Sequence, residues 1–118
     1  MIDYKRGDIV LLPFPYVQNY KKGKTRPALV IQNDIANKYS NNIIVALISS
    51  SIPSKIYPMH YLIDTRKEKH SGLGENSIVK TEVIITIPKK SVIKKLGSLS
   101  QSALLSVNEC IKKSLALE

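Results

Sequence analysis

The sequence predicts a mainly β fold: a small barrel or half-barrel of five or six short strands, capped by one C-terminal helix. Three observations predict it. Short apolar runs bounded by Pro, Gly, Ser and Asn recur through the first 88 residues. The run Ile43 to Ser50 is apolar on both faces, as a central strand requires. Only the segment after Ser100 changes to a helical period.

Asp8 to Phe14 is the first strand, closed by Pro13-Phe14-Pro15, which suits an edge or a bulge. A basic loop follows. Arg26 to Gln32 is the second strand, and Pro27 is tolerated because it stands near the start. Asn33 to Asn42 is polar and turn-rich, with room for a single helical turn. After the central strand, SSSIPSKIYP is loop, His60 to Asp64 is a strand and TRKEKHSGLGEN is a long charged turn. Ser77 to Ile87, rich in Val, Ile and Thr, reads as a bent strand. Before the helix, PKKSVIKKLGSLS carries Lys89, Lys90, Lys94 and Lys95. Ser100 suits an N-cap for a helix from Gln101 to about Leu117. Leu104, Val107, Ile111 and Leu115 form its apolar stripe, and Lys112 and Lys113 complement the dipole at its end.

A chain of 118 residues suits one domain, 1–118, whose modest core a partner subunit would help to stabilise. The composition, 43% hydrophobic and 23% charged, is globular. No apolar run approaches the length of a membrane span, and the first residues lack the apolar region of a signal peptide. The lone Cys110 makes no internal disulfide, so a cytoplasmic location and no membrane partner are expected. Lys and Arg total 18 against 9 acids, a net charge of +9. That balance favours polyanions, whether nucleic acid, an acidic protein or an anionic membrane surface, although solubility alone also accounts for it.

The charge is concentrated where it is informative. Lys21, Lys22, Lys24 and Arg26 follow one another without an acid, and the run ends at the mouth of a strand. Arg26 therefore has a backbone held by the sheet and a guanidinium that borders the loop, able to grip a phosphate through paired donors. A surface arginine at a strand end has the same local sequence. Tyr16 and Tyr20 flank the loop, where rings beside cations suit stacked RNA bases. Ser49 lies on the face of Ile43, Val45 and Leu47 at the strand's exit, placed to donate to a phosphate oxygen or to cap the turn. Lys80 and Glu82 share a strand face; a cation beside a carboxylate suits charge stabilisation and general base catalysis, or a cross-strand ion pair. His60 begins a strand, where it would stack on a base or sit half-buried, and His70 lies in the charged turn. Two histidines and one distant cysteine make no zinc site, and there is no phosphate-binding glycine loop.

Taken together, RGDIVLLPFP, RPALVIQNDIANKYS, IIVALISS, PMHYLID, SIVKTEVIITI and the terminal SLSQSALLSVNECIKKSLAL resemble the MazF/PemK toxins of type II toxin–antitoxin pairs, RPALVIQND most specifically. The resemblance implies a half-open barrel of the MazF/CcdB type and a cytoplasmic homodimer. It implies a sequence-specific endoribonuclease that cuts single-stranded RNA with no metal or other cofactor. An acidic antitoxin would hold it inactive, and DNA would be contacted only through that antitoxin. By the same resemblance Arg26 is the catalytic arginine and Ser49 stands where the family often has a catalytic threonine. Glu82 would be the general base for the ribose 2′-hydroxyl. Lys21, Lys22, Lys24, Tyr20, His60 and Lys80 are the expected RNA contacts. Two departures bear on the cut sequence: the loop reads NYKKGK where close relatives carry a Glu-Gln-Gly-Gly-like segment, and Ile85 replaces an arginine. A competing reading is a non-catalytic toxin or nucleic-acid-binding module on the same barrel, of the gyrase-poison type, which needs none of Arg26, Ser49 and Glu82.

Overall fold

Neither face of the strand around Ile43 to Ile48 tolerates water, and the fold covers both. A computed structural model describes residues 3–13 and 25–118. It contains strands β1 (Asp8–Pro13), β2 (Thr25–Val30), β3 (Asn42–Ser49), β4 (His60–Ile63), β5 (Ser77–Pro88) and β6 (Lys94–Ser98), with helices α1 (Asp34–Tyr39) and α2 (Gln101–Ser114). The strands make one antiparallel sheet in the order β4-β5-β3-β2-β1-β6, curled into a half-barrel. Ala46, Ile48 and Val79 pack on one face against Val107 and Ala103 of α2. Val10, Ala28, Ile43 and Val45 gather on the other around Tyr4.

The long strand β5 is bent as expected, and the register shows how. Ile84 lies opposite Ala46, yet Lys80 lies opposite the next residue, Leu47. Residues 81–83 are thus displaced from the β3 ladder, which bends the strand and re-aims its side chains. Thr81 is fully buried. Its hydroxyl donates to the Met59 carbonyl at 2.6 Å and lies 3.2 Å from that of Cys110, while Ser114 Oγ donates to the Thr81 carbonyl at 2.9 Å. These bonds fasten α2 to the bulge.

Several boundaries differ from the sequence reading. The second strand stops at Val30 rather than Gln32, because the N–H groups of Ile31 and Gln32 both turn to the Ile44 carbonyl. The polar segment after it forms a six-residue helix, α1, whose Asn33 cap accepts from the Ala36 N–H. The sixth strand, β6, lies in the lysine-rich segment and pairs with β1, where Lys95 meets the buried Asp8 at 3.2 Å. Gly97 permits this pass, since a Cβ there would lie 2.1 Å from the His70 carbonyl oxygen. At the C-terminus the helix ends at Ser114, not near Leu117. Leu115 leaves helical geometry and is 52% exposed, so Ala103 and Cys110, with Leu104, Val107 and Ile111, complete the packed face in its place. No helix among the described residues is long and apolar enough to cross a membrane.

Candidate active site

The sheet brings Arg26 and Ser49 together at one end. Ala28 faces Leu47 and Leu29 faces Ala46 across β2 and β3. Two further steps outward along both strands bring Arg26 level with Ser49, on the same face. Both line a cleft of about 340 Å³, with Pro27, Leu73 and Glu75 among its walls. Arg26 lies opposite Leu12 of β1 and is half-buried. Its Nη1 donates to the Thr25 carbonyl at 3.1 Å. Among the described residues no carboxylate pairs with it, so its remaining donors are available to an anion.

Ser49 has its hydroxyl oriented by the turn it begins. Its Oγ accepts from the Ser51 N–H at 3.1 Å. One of the oxygen's two acceptor sites is thereby used, and among the described residues the hydroxyl proton has no acceptor, so it remains for a ligand. Turn capping and ligand donation, which the sequence leaves as alternatives, are compatible in this geometry.

A second group stands on the same face. Lys80 is opposite Leu47 on one side and His60 on the other. Paired residues of antiparallel strands share a face, so His60, Lys80, Ser49 and Arg26 all point away from the side that α2 covers. Glu82 joins them through His60: Nε2 and Oε2 are 2.9 Å apart. The His60 side chain is 6% exposed and that of Glu82 42%, so the ring lies behind the carboxylate and supports it. Burial alone pushes the Glu82 carboxyl up. The hydrogen bond from His60, a backbone N–H and the positive fields of His60 and Lys80 outweigh it and hold the group below its ordinary value. An ionised carboxylate only accepts, so His60 Nε2 carries the proton of this bond. Among the described residues Nδ1 has no partner, and Tyr57 packs edge-on at 5.8 Å between centroids.

Of the predicted site residues, then, Arg26 and Ser49 share a cleft. Lys80, His60 and Glu82 stand together one to two strands further across the sheet and at least two residues further along it, about 8–12 Å from Ser49 for Lys80 and His60 at the usual spacings. Glu82 does not line the Arg26–Ser49 cleft, and its carboxylate is turned toward β4. Tyr16, Tyr20, Lys21, Lys22 and Lys24 lie outside the described residues. The acid that does line the cleft, Glu75, escaped the sequence reading. Its signal was positional: it sits two residues before β5, whose Ile78 pairs with Ser49. Among the described residues no three His, Cys, Asp or Glu side chains gather as a metal site would need.

Fold and site together define a small, basic, half-open β-barrel with an arginine-lined cleft at the end of its sheet. Residues 5–115 match the sequence model of a family described as PemK-like, MazF-like toxin of type II toxin-antitoxin system, and the chain belongs to that family. It is 38% identical over 113 residues to the Endoribonuclease MazF of Staphylococcus epidermidis, covering 96% of this chain and 92% of that one. The fold is shared with the Mycobacterium tuberculosis toxin MazF-mt6, at a TM-score of 0.76 and 21% identity over 94% of this chain and 98% of that one. It is shared too with an endoribonuclease from a mycobacterial species solved in complex with its cognate antitoxin, at a TM-score of 0.78 and 16% identity over 98% and 97% of the two chains.

Proposed function

We propose that this toxin is a metal-independent, sequence-specific endoribonuclease that cuts single-stranded RNA. The observation that carries the reading is the shared cleft of Arg26 and Ser49, a fixed guanidinium and a free hydroxyl proton at one sheet end. The ribose 2′-oxygen attacks the adjacent 3′-phosphorus. The bond from phosphorus to the 5′-oxygen breaks, leaving a 2′,3′-cyclic phosphate and a 5′-hydroxyl that takes up a proton. Negative charge grows on the non-bridging oxygens, where Arg26 and the Ser49 hydroxyl donate. We assign the 2′-hydroxyl proton to Glu82, which stands outside the Arg26–Ser49 cleft on the same sheet face and meets the nucleophile only where bound RNA bridges the two. Glu82 is ionised at neutral pH, and His60 holds its Oε2 at 2.9 Å. DNA lacks the nucleophile and is spared.

The remaining parts follow from charge. Lys80 on the sheet, with Lys21, Lys22, Lys24 and Tyr20 of the basic loop, contacts the RNA backbone and bases. A chain of net charge +9 is complemented by an acidic antitoxin that occupies the RNA groove. The active form is a cytoplasmic homodimer, and its release from the antitoxin inhibits growth. The test is incubation with a long single-stranded RNA in EDTA. Discrete fragments with 5′-hydroxyl and cyclic phosphate ends are expected; intact RNA would refute the reading.

A further inference from the structure

Glu75 poses a problem that the ribonuclease reading leaves open. This exposed residue lines the cleft whose arginine holds a phosphate, and like charge there opposes the substrate. Among the described residues it has no hydrogen-bond or ion-pair partner, although the backbone around it is pinned. Ser77 Oγ donates to the Glu75 carbonyl at 3.0 Å. Next to it, Asn76 Oδ1 accepts from the Thr65 N–H and hydroxyl at 2.9 and 3.0 Å. The turn is therefore fixed, at an exposed position on the cleft wall where water solvates the carboxylate until a ligand replaces it.

What RNA offers a carboxylate is a hydrogen-bond donor. Pro27 and Leu73 give the cleft apolar walls against which a flat ring can lie. Its volume, about 340 Å³, is that of a small-ligand pocket and exceeds what a phosphate alone fills. Adenine, cytosine and guanine each present an exocyclic amine, whereas uracil presents carbonyl oxygens on both sides of its single N–H. A carboxylate accepts from the first three and is repelled by the fourth.

We propose that Glu75 is a specificity residue that reads the base of the nucleotide held at Arg26, accepting a hydrogen bond from an exocyclic amine and rejecting uracil. The proposal rests on the ribonuclease reading but makes a separate claim about which sequences are cut. The experiment is end-mapping by sequencing on a long mixed-sequence RNA, with wild type, Glu75→Gln and Glu75→Lys compared after melting curves show each folded. Wild type is expected to exclude uracil at one position beside the cut. Glu75→Gln, whose amide both donates and accepts, is expected to lose at least about fivefold of that discrimination at that position alone. Glu75→Lys is expected to turn the preference toward bases with carbonyl acceptors. An unchanged motif in Glu75→Gln overturns the proposal. So does loss of cleavage on every sequence together with loss of the acid limb of the pH–rate profile, which would make Glu75 the proton acceptor instead. Failure of wild type to cut any RNA would strike at the ribonuclease reading itself.

Discussion

Replacing Ser49 by alanine and by threonine separates its two roles. The Ser49 oxygen accepts from Ser51 N–H at 3.1 Å, and its proton is left for substrate. Alanine removes both functions. Loss of the turn bond, at a half-exposed site, costs about 0.5–1 kcal/mol of stability. Against a domain stability of about 5–15 kcal/mol that leaves the protein folded. Loss of a donor to the charged transition state costs about 2.7–4 kcal/mol, or roughly 10²–10³ in rate. The catalytic defect therefore exceeds anything unfolding supplies. Threonine keeps the oxygen and the proton and stiffens χ1, so Ser49→Thr is expected to cleave at or above the wild-type rate. The assay is single-turnover cleavage of a short RNA carrying the mapped site, beside urea melts of all three proteins. Ser49→Ala cleaving at the wild-type rate would refute the assignment of this hydroxyl to the reaction.

Thr81→Val leaves the Met59 and Cys110 carbonyls without their donor at a fully buried position. It should cost about 1–3 kcal/mol, read as a lower urea midpoint with unchanged slope. Two carboxyls sit below their ordinary values. Asp34 does so through hydrogen bonds from the Arg6 backbone N–H and the Asn37 amide, and Glu82 because its hydrogen bonds and neighbouring positive charges outweigh burial. A depressed folded-state pKa stabilises above the unfolded value of about 4 and is lost as pH falls through the folded value. The melting temperature should therefore drop on acidification below about pH 4, and a rise there would contradict the assignment. Burial pushes the Cys110 thiol up, so a thiol reagent should label it more slowly in the folded protein than in urea, and equal rates would contradict its burial. Replacing Lys21, Lys22 and Lys24 together by glutamine should weaken RNA binding and reduce the salt slope by about 0.7 for each phosphate no longer neutralised; an unchanged slope would remove the loop from the RNA path.

The fold was legible where apolar pattern and strand length agree. Central β3 and capped α2 announce themselves, because an apolar run and a Ser100 cap are local signals. Strand β6 was hidden. It is short and basic, and it forms only because β1 offers an edge and Asp8 a buried partner for Lys95. The end of α2 was misplaced because Leu115 continues the periodicity while its backbone leaves the helix. In the site, Arg26 and Ser49 could be named one by one, but their meeting depends on the β2–β3 register, which the sequence does not display. The pairing of His60 with Glu82 depends on the bulge that displaces residues 81–83. Glu75 is invisible to motif reading, since only the fold carries its turn to the end of β3.

The central claim is that the cleft at the end of β2 and β3 performs the cut, and Arg26 is the group it depends on most. The direct measurement is wild type against Arg26→Ala on the same long RNA in EDTA, with fragment ends mapped and both melting curves recorded. Wild type should give discrete cuts bearing cyclic phosphates. Arg26→Ala should melt like wild type and leave the RNA uncut, a loss of at least about a hundredfold. Full cleavage by folded Arg26→Ala would contradict the account and move the chemistry elsewhere on the barrel.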